Sequence, residues 1–164
     1  MAMELIAEFT PTTSWTSGSF TNIPQTYKNL YMDYKVAGNE NMLQLQFRLN
    51  NQTGSTDYRT RSFGRIEGNV YVYGDKTNFF GGEKNQSSNQ APLAGFIEFL
   101  DYTQSSRRPF GMGLACHTDS LLAGINHYGS IAFDVASITS IQFIINNASY
   151  VFLGGSTIRL WGVL

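Results

Sequence analysis

Residues 42–54 read Met-Leu-Gln-Leu-Gln-Phe-Arg-Leu-Asn-Asn-Gln-Thr-Gly. Leu43, Leu45, Phe47 and Leu49 alternate with Gln44, Gln46, Arg48 and Asn50, the period of a strand with one dry and one wet face. A helix would scatter the four apolar side chains around its circumference, so the pattern predicts a sheet packed on one side, as in antiparallel sandwiches. Asn50-Asn51-Gln52-Thr53-Gly54 ends the run with residues that accept turn conformations.

Working outward, Tyr27 to Ala37 alternates in the same way, with Leu30, Met32, Tyr34 and Val36 on one face. Gly38-Asn39-Glu40-Asn41 reads as a hairpin turn, so this strand is expected to pair antiparallel with the one beginning at Met42. Upstream, Met3 to Phe9 is a first strand closed at Pro11. A loop holding Trp15 and Gly18 follows, then a short strand from Ser19 to Ile23 that stops at Pro24. Downstream, strands are expected over Tyr58 to Ile66, Val70 to Tyr73, Ala94 to Tyr102, Phe110 to His117, Ile125 to Val135, Ile138 to Asn146, Tyr150 to Leu153 and Ser156 to Leu164. Gly74 to Pro92, rich in Gly, Asn, Gln, Ser and Lys around Phe79-Phe80, is the longest irregular stretch, and a long loop in a compact domain is where a partner surface is sought first.

No segment has sustained helical periodicity, and there is neither an internal repeat nor a linker. The chain is therefore expected to be one all-β domain over 1–164, an antiparallel, jelly-roll-like β-sandwich of about nine to eleven strands. At 164 residues such a domain buries roughly 70% of its unfolded surface and folds without disulfides. The single cysteine, Cys116, rules out an intrachain bridge and fits assembly in a reducing cytoplasm. The first residues, with Glu4 and Glu8, carry neither a basic leader nor a long apolar run, which argues against a signal peptide or a membrane anchor. A formal net charge of -1 with 14% charged residues gives no footprint for nucleic acid or an anionic membrane.

Chemistry is sparse. Cys116, His117 and His127 are close in sequence but lack the paired spacing of a zinc site, and the expectation is no metal and no cofactor. Neighbours on a strand point to opposite faces, so Cys116 and His117 do not make a nucleophile and base pair. Glu98 and Asp101 could serve as a glycosidase acid and base, but spacing in sequence cannot establish the separation that this chemistry needs. Arg59, Arg61 and Arg65 share one strand parity, which is most simply a solvated face or a blunted edge. No catalytic residue is assigned, and the expectation is that the protein is not an enzyme. Among the aromatic residues most belong in a core; Tyr71, Tyr73, Phe79 and Phe80 are singled out as a candidate partner interface. Trp161 lies opposite to the core parity of the last strand.

Four stretches taken together carry a family likeness: Phe20-Thr21-Asn22-Ile23-Pro24-Gln25-Thr26-Tyr27-Lys28-Asn29-Leu30, Phe47-Arg48-Leu49-Asn50-Asn51-Gln52-Thr53-Gly54, Ala136-Ser137-Ile138-Thr139-Ser140-Ile141 and Gly155-Ser156-Thr157-Ile158-Arg159-Leu160-Trp161-Gly162. In order and spacing they resemble a family of small β-sandwich structural proteins of tailed bacteriophages. The sequence departs from that pattern at Gln52, where an aspartate is usual, and at Trp161, where a tyrosine is usual. The resemblance implies a virion component without a catalytic role, assembled in the host cytoplasm. A capsid decoration or cement protein on the outside of the head is the favoured role, with the major capsid protein and further copies of itself as partners, in a homo-oligomer such as a trimer. A tail or fibre adhesin, or carbohydrate-binding module, is the alternative, with a glycan bound around Tyr71 to Gln90.

Overall fold

The computed structural model describes residues 2–39, 43–53, 58–66, 69–73, 79–84, 92–104, 106, 108–118, 123–132, 137–145 and 149–164; for 43, 58–66, 69–73, 79–84, 117–118 and 123–132 the description covers the backbone. These residues form twelve strands and no helix: β1 (Met3–Phe9), β2 (Ser17–Phe20), β3 (Asn29–Val36), β4 (Leu43–Leu49), β5 (Tyr58–Ile66), β6 (Asn69–Tyr73), β7 (Phe79–Lys84), β8 (Leu93–Leu100), β9 (Phe110–Thr118), β10 (Ala123–Ala132), β11 (Ile141–Ile145) and β12 (Thr157–Val163). The fold is all-β, with one strand more than the upper end of the sequence-based range.

Two antiparallel sheets share one core. The large sheet has the order β1-β12-β3-β8-β9-β10-β5-β6 and the small sheet β2-β11-β4-β7. The alternation that opens the sequence reading does its expected work, since Leu45, Phe47 and Leu49 are fully buried. Leu43 is paired with Lys84 through its backbone, and its side chain lies outside the described residues. From the opposite sheet Leu30, Met32, Tyr34 and Val36 of β3, Ile97 and Phe99 of β8 and Ile158 and Leu160 of β12 enter the same cluster. The Tyr34 and Phe47 rings meet across the interior at 5.8 Å. Burying each such side chain contributes about 1.5–3 kcal/mol.

That contact also marks a correction. β3 and β4 do not form a hairpin: β3 pairs with β12 and β8, whereas β4 pairs with β11 and β7. Both strands carry a strong inward apolar face, and such faces are buried in the same core whether the strands lie side by side in one sheet or on opposite walls. The connection is anchored elsewhere, by Asn39 N–H donating to Val151 O (3.1 Å) and Val151 N–H donating to the Asn39 side-chain oxygen (2.9 Å). Alternation reports the face a strand buries and is silent about its neighbour.

Other boundaries move as well. β2 spans Ser17–Phe20 rather than Ser19 to Ile23, and Gly18 sits within it, where a Cβ would lie 2.2 Å from the Phe143 ring. Tyr150 to Leu153 contributes isolated bridges at Phe152, to Trp15 and Gly38. The stretch expected to be one long irregular loop contains β7; residues 74–78 and 85–91 within it lie outside the described residues. Trp15 closes the side of the core next to β1, with its ring 4.3 Å from Phe152 and 5.0 Å from Phe9.

Candidate functional site

The large sheet has an outer face that the small sheet does not touch, and its side chains follow from strand register. One row across the face reads Leu5, Trp161, Tyr31, Glu98 and Met112; the next reads Glu8, Arg159, Asp33, Phe96 and Leu114; a third reads Thr157, Lys35, Ala94 and Cys116. Each set is the outward parity of a strand whose inward parity is core, so the same alternation that builds the interior assembles this surface.

Asp33 is its hub. Arg159 donates to Asp33 Oδ1 from Nε (2.9 Å) and from Nη2 (2.7 Å), and Trp161 donates from Nε1 to Oδ2 (2.6 Å). The guanidinium also lies 5.6 Å from the Trp161 ring centroid. The bond to Asp33, and then its charge, raise the Arg159 pKa above its ordinary value, so the guanidinium keeps its charge. Beside this hub the Tyr31 and Phe96 rings stack with centroids 5.6 Å apart and planes 21° from parallel. The Tyr31 hydroxyl holds its proton more tightly than usual, because of burial first and then the carboxylates of Asp33 and Glu98.

These groups line a shallow concavity of about 570 Å³, with Tyr31, Asp33, Lys35, Phe96, Cys116 and Arg159 in its wall and Glu8 and Thr157 at its β1 and β12 side. Toward the other end of the same face the surface turns apolar. Met3 (48% exposed), Leu5 (46%), Phe110 (38%) and Met112 (48%) stand at outward positions there, with Phe96 (36%) between the two regions.

The residues singled out from sequence fall elsewhere. Tyr71 and Tyr73 lie on β6, the edge strand of the large sheet, opposite Gly64 and Ser62. Phe79 and Phe80 lie on β7, the edge strand of the small sheet, opposite Phe47 and Gln46. Phe79 and Phe80 thus belong to a strand rather than to a loop, and the two pairs sit in different sheets; the four side chains lie outside the described residues. The side chains of Arg59, Arg61, Arg65, His117 and His127 also lie outside them, while the His127 backbone pairs with Leu114 and Phe63. Glu98 and Asp101 are both tied to Asn29: its amide donates to Glu98 Oε1 (3.1 Å), and Asp101 N–H donates to its side-chain oxygen (3.1 Å). Among the described residues no group of three or more His, Cys, Asp or Glu is placed to hold a metal ion.

Sequence reasoning missed Tyr31, Asp33, Phe96 and Arg159. The available signal was their parity: each sits opposite a buried neighbour on its own strand. What joins them is the pairing of β3 with β12 and β8, across separations that a single sequence does not reveal. No protein-family model and no curated protein matches the chain.

Proposed function

We propose that this chain is a structural subunit of a tailed-bacteriophage virion, a decoration or cement protein that binds the outside of the assembled head shell through the outer face of its large sheet. The observation that carries the reading is the apolar end of that face. Met3 and Leu5 on β1 and Phe110 and Met112 on β9 are exposed on one wall, with β12, β3 and β8 between them, and large apolar side chains left exposed across one face mark a surface made to be covered by another protein. The family resemblance of the four sequence stretches supplies the virion context.

The strand order supports a jelly roll as the underlying architecture. β1-β12-β3-β8 facing β2-β11-β4-β7 is an eight-stranded double sheet whose chain alternates between walls, and the hairpins β5–β6 and β9–β10 are additions to one wall. A subunit of this kind adds shape-complementary contacts across capsomer boundaries, burying roughly 800 Å² on its side. A few apolar anchors carry the affinity, and the symmetry of the shell multiplies it. The partners are the major capsid protein and further copies of this chain, which close as a trimer around a local axis.

The test is copy number and position in purified virions, with wild type and Met112→Asp compared. Hundreds of copies on the shell, lost with Met112→Asp while the free protein stays folded, support decoration. A few copies confined to the tail overturn it in favour of an adhesin.

A further inference from the structure

The concavity beside the apolar end is chemically unlike it. Its wall holds two carboxylates, Glu8 and Asp33, and two cations, Lys35 and Arg159, so its formal charge is balanced. A net anionic or cationic ligand finds no complementary field there. What the wall offers is a pair of stacked aromatic rings, Tyr31 and Phe96, beside a rim of hydrogen-bonding groups. Asp33 uses both of its oxygens to hold Arg159 and Trp161, which fixes the guanidinium in place. The two bonds from Arg159 take one N–H of Nε and one of Nη2, leaving the Nη1 donors for a ligand. Lys35 and Glu8 are exposed, and Thr157 is half-buried. A volume of about 570 Å³ is that of a small-molecule site.

Apolar ring faces next to fixed, charge-balanced donors and acceptors match one ligand class. We propose that this concavity binds a neutral oligosaccharide, whose C–H ring faces pack on the Tyr31–Phe96 wall and whose hydroxyls bond to Arg159, Lys35, Glu8 and Thr157. The proposal does not depend on the head-shell reading, because none of the apolar anchors named for that reading lines the concavity.

The experiment titrates the full chain with three neutral hexasaccharides, of β-1,4-glucose, α-1,4-glucose and β-1,4-mannose, and with two charged ones, a hexagalacturonate and a heparin hexamer. The readouts are calorimetry and protection of Cys116, which lines the concavity, from maleimide labelling. At least one neutral hexamer is expected to bind and to slow labelling of Cys116. Phe96→Ala or Tyr31→Ala weakens binding at least about fivefold, the loss expected for an aromatic contact, and Met3→Ser leaves it unchanged. Should the aromatic variants fail to fold, wild-type protein already labelled at Cys116 serves instead, and it is expected not to bind. The proposal is overturned if no neutral hexamer binds at millimolar concentration, if the charged hexamers bind more tightly, or if binding survives in folded Phe96→Ala or in the labelled protein. Loss of shell binding in Met112→Asp with saccharide binding intact separates this site from the docking surface.

Discussion

Single residues on β8 and β12 show how closely the backbone is packed. At Gly95 a Cβ would lie 2.5 Å from the Leu114 carbonyl oxygen and 2.5 Å from the Tyr34 hydroxyl. The tyrosine tip could swing aside, but the carbonyl belongs to the β8–β9 ladder and cannot. Gly95→Ala is therefore expected to cost about 1–3 kcal/mol, read as a lowered denaturant midpoint at unchanged slope. The same glycine lies between Ala94 and Phe96 in the wall of the concavity, so the variant should also disturb the Tyr31–Phe96 stack. Gly162 has a comparable constraint, with the Tyr27 ring 2.4 Å from where its Cβ would be; an aromatic lid of that kind is invisible in the string of residues until the fold brings residue 27 to residue 162.

Between elements, the turn after β4 is heavily bonded. Asn50 adopts φ 49°, a left-handed conformation that asparagine tolerates better than most residues. Its side-chain oxygen accepts from Thr139 N–H (2.8 Å), Ser140 N–H (3.0 Å) and the Thr139 hydroxyl (3.1 Å), and its amide donates to Ser137 O (2.6 Å). Nearby, Ile23 N–H donates to Thr139 O (3.0 Å), the Gln25 amide to Ile138 O (2.9 Å), and the Tyr102 hydroxyl to Pro24 O. Three of the four stretches that carry the family likeness thus meet at one end of the sandwich. Asn50→Ala should lose about 2–3 kcal/mol from the unpaired amides and the strained φ together. Asn50→Gly, which relieves the φ, should lose less, and urea unfolding of the two variants separates bonding from strain. The strands from Leu30 to Val36 and from Leu45 to Leu49 were legible because each buries every second residue. The partners of those strands were not, because a short polar stretch of sequence such as 38–41 fits a hairpin and a crossing between sheets equally, and an inward apolar face is buried in either arrangement.

At the scale of the molecule, pH reports on packing. Tyr27, beside Glu4, and Tyr31 and Tyr102, through burial, all have pKa values raised above 10.0. The folded chain then binds these phenol protons more tightly than the unfolded chain does, so their contribution to stability is complete below about pH 10 and is lost as pH rises through the raised values. Thermal midpoints should be flat from about pH 8 to about pH 10 and fall beyond it, with tyrosinate absorbance developing late. The added hairpins of the large sheet bear on a different matter, the order in which the ribosome delivers its parts. β5 joins the sheet only against β10, which joins only against β9, which joins against β8. The β5–β6 hairpin therefore leaves the ribosome well before the edge that will receive it, and a lone two-stranded hairpin is marginal in water. Until residue 132 has been made, the first half of the chain carries a strand pair without the strand that ties it into the large sheet, and synthesis paused within β9 would hold it in that condition.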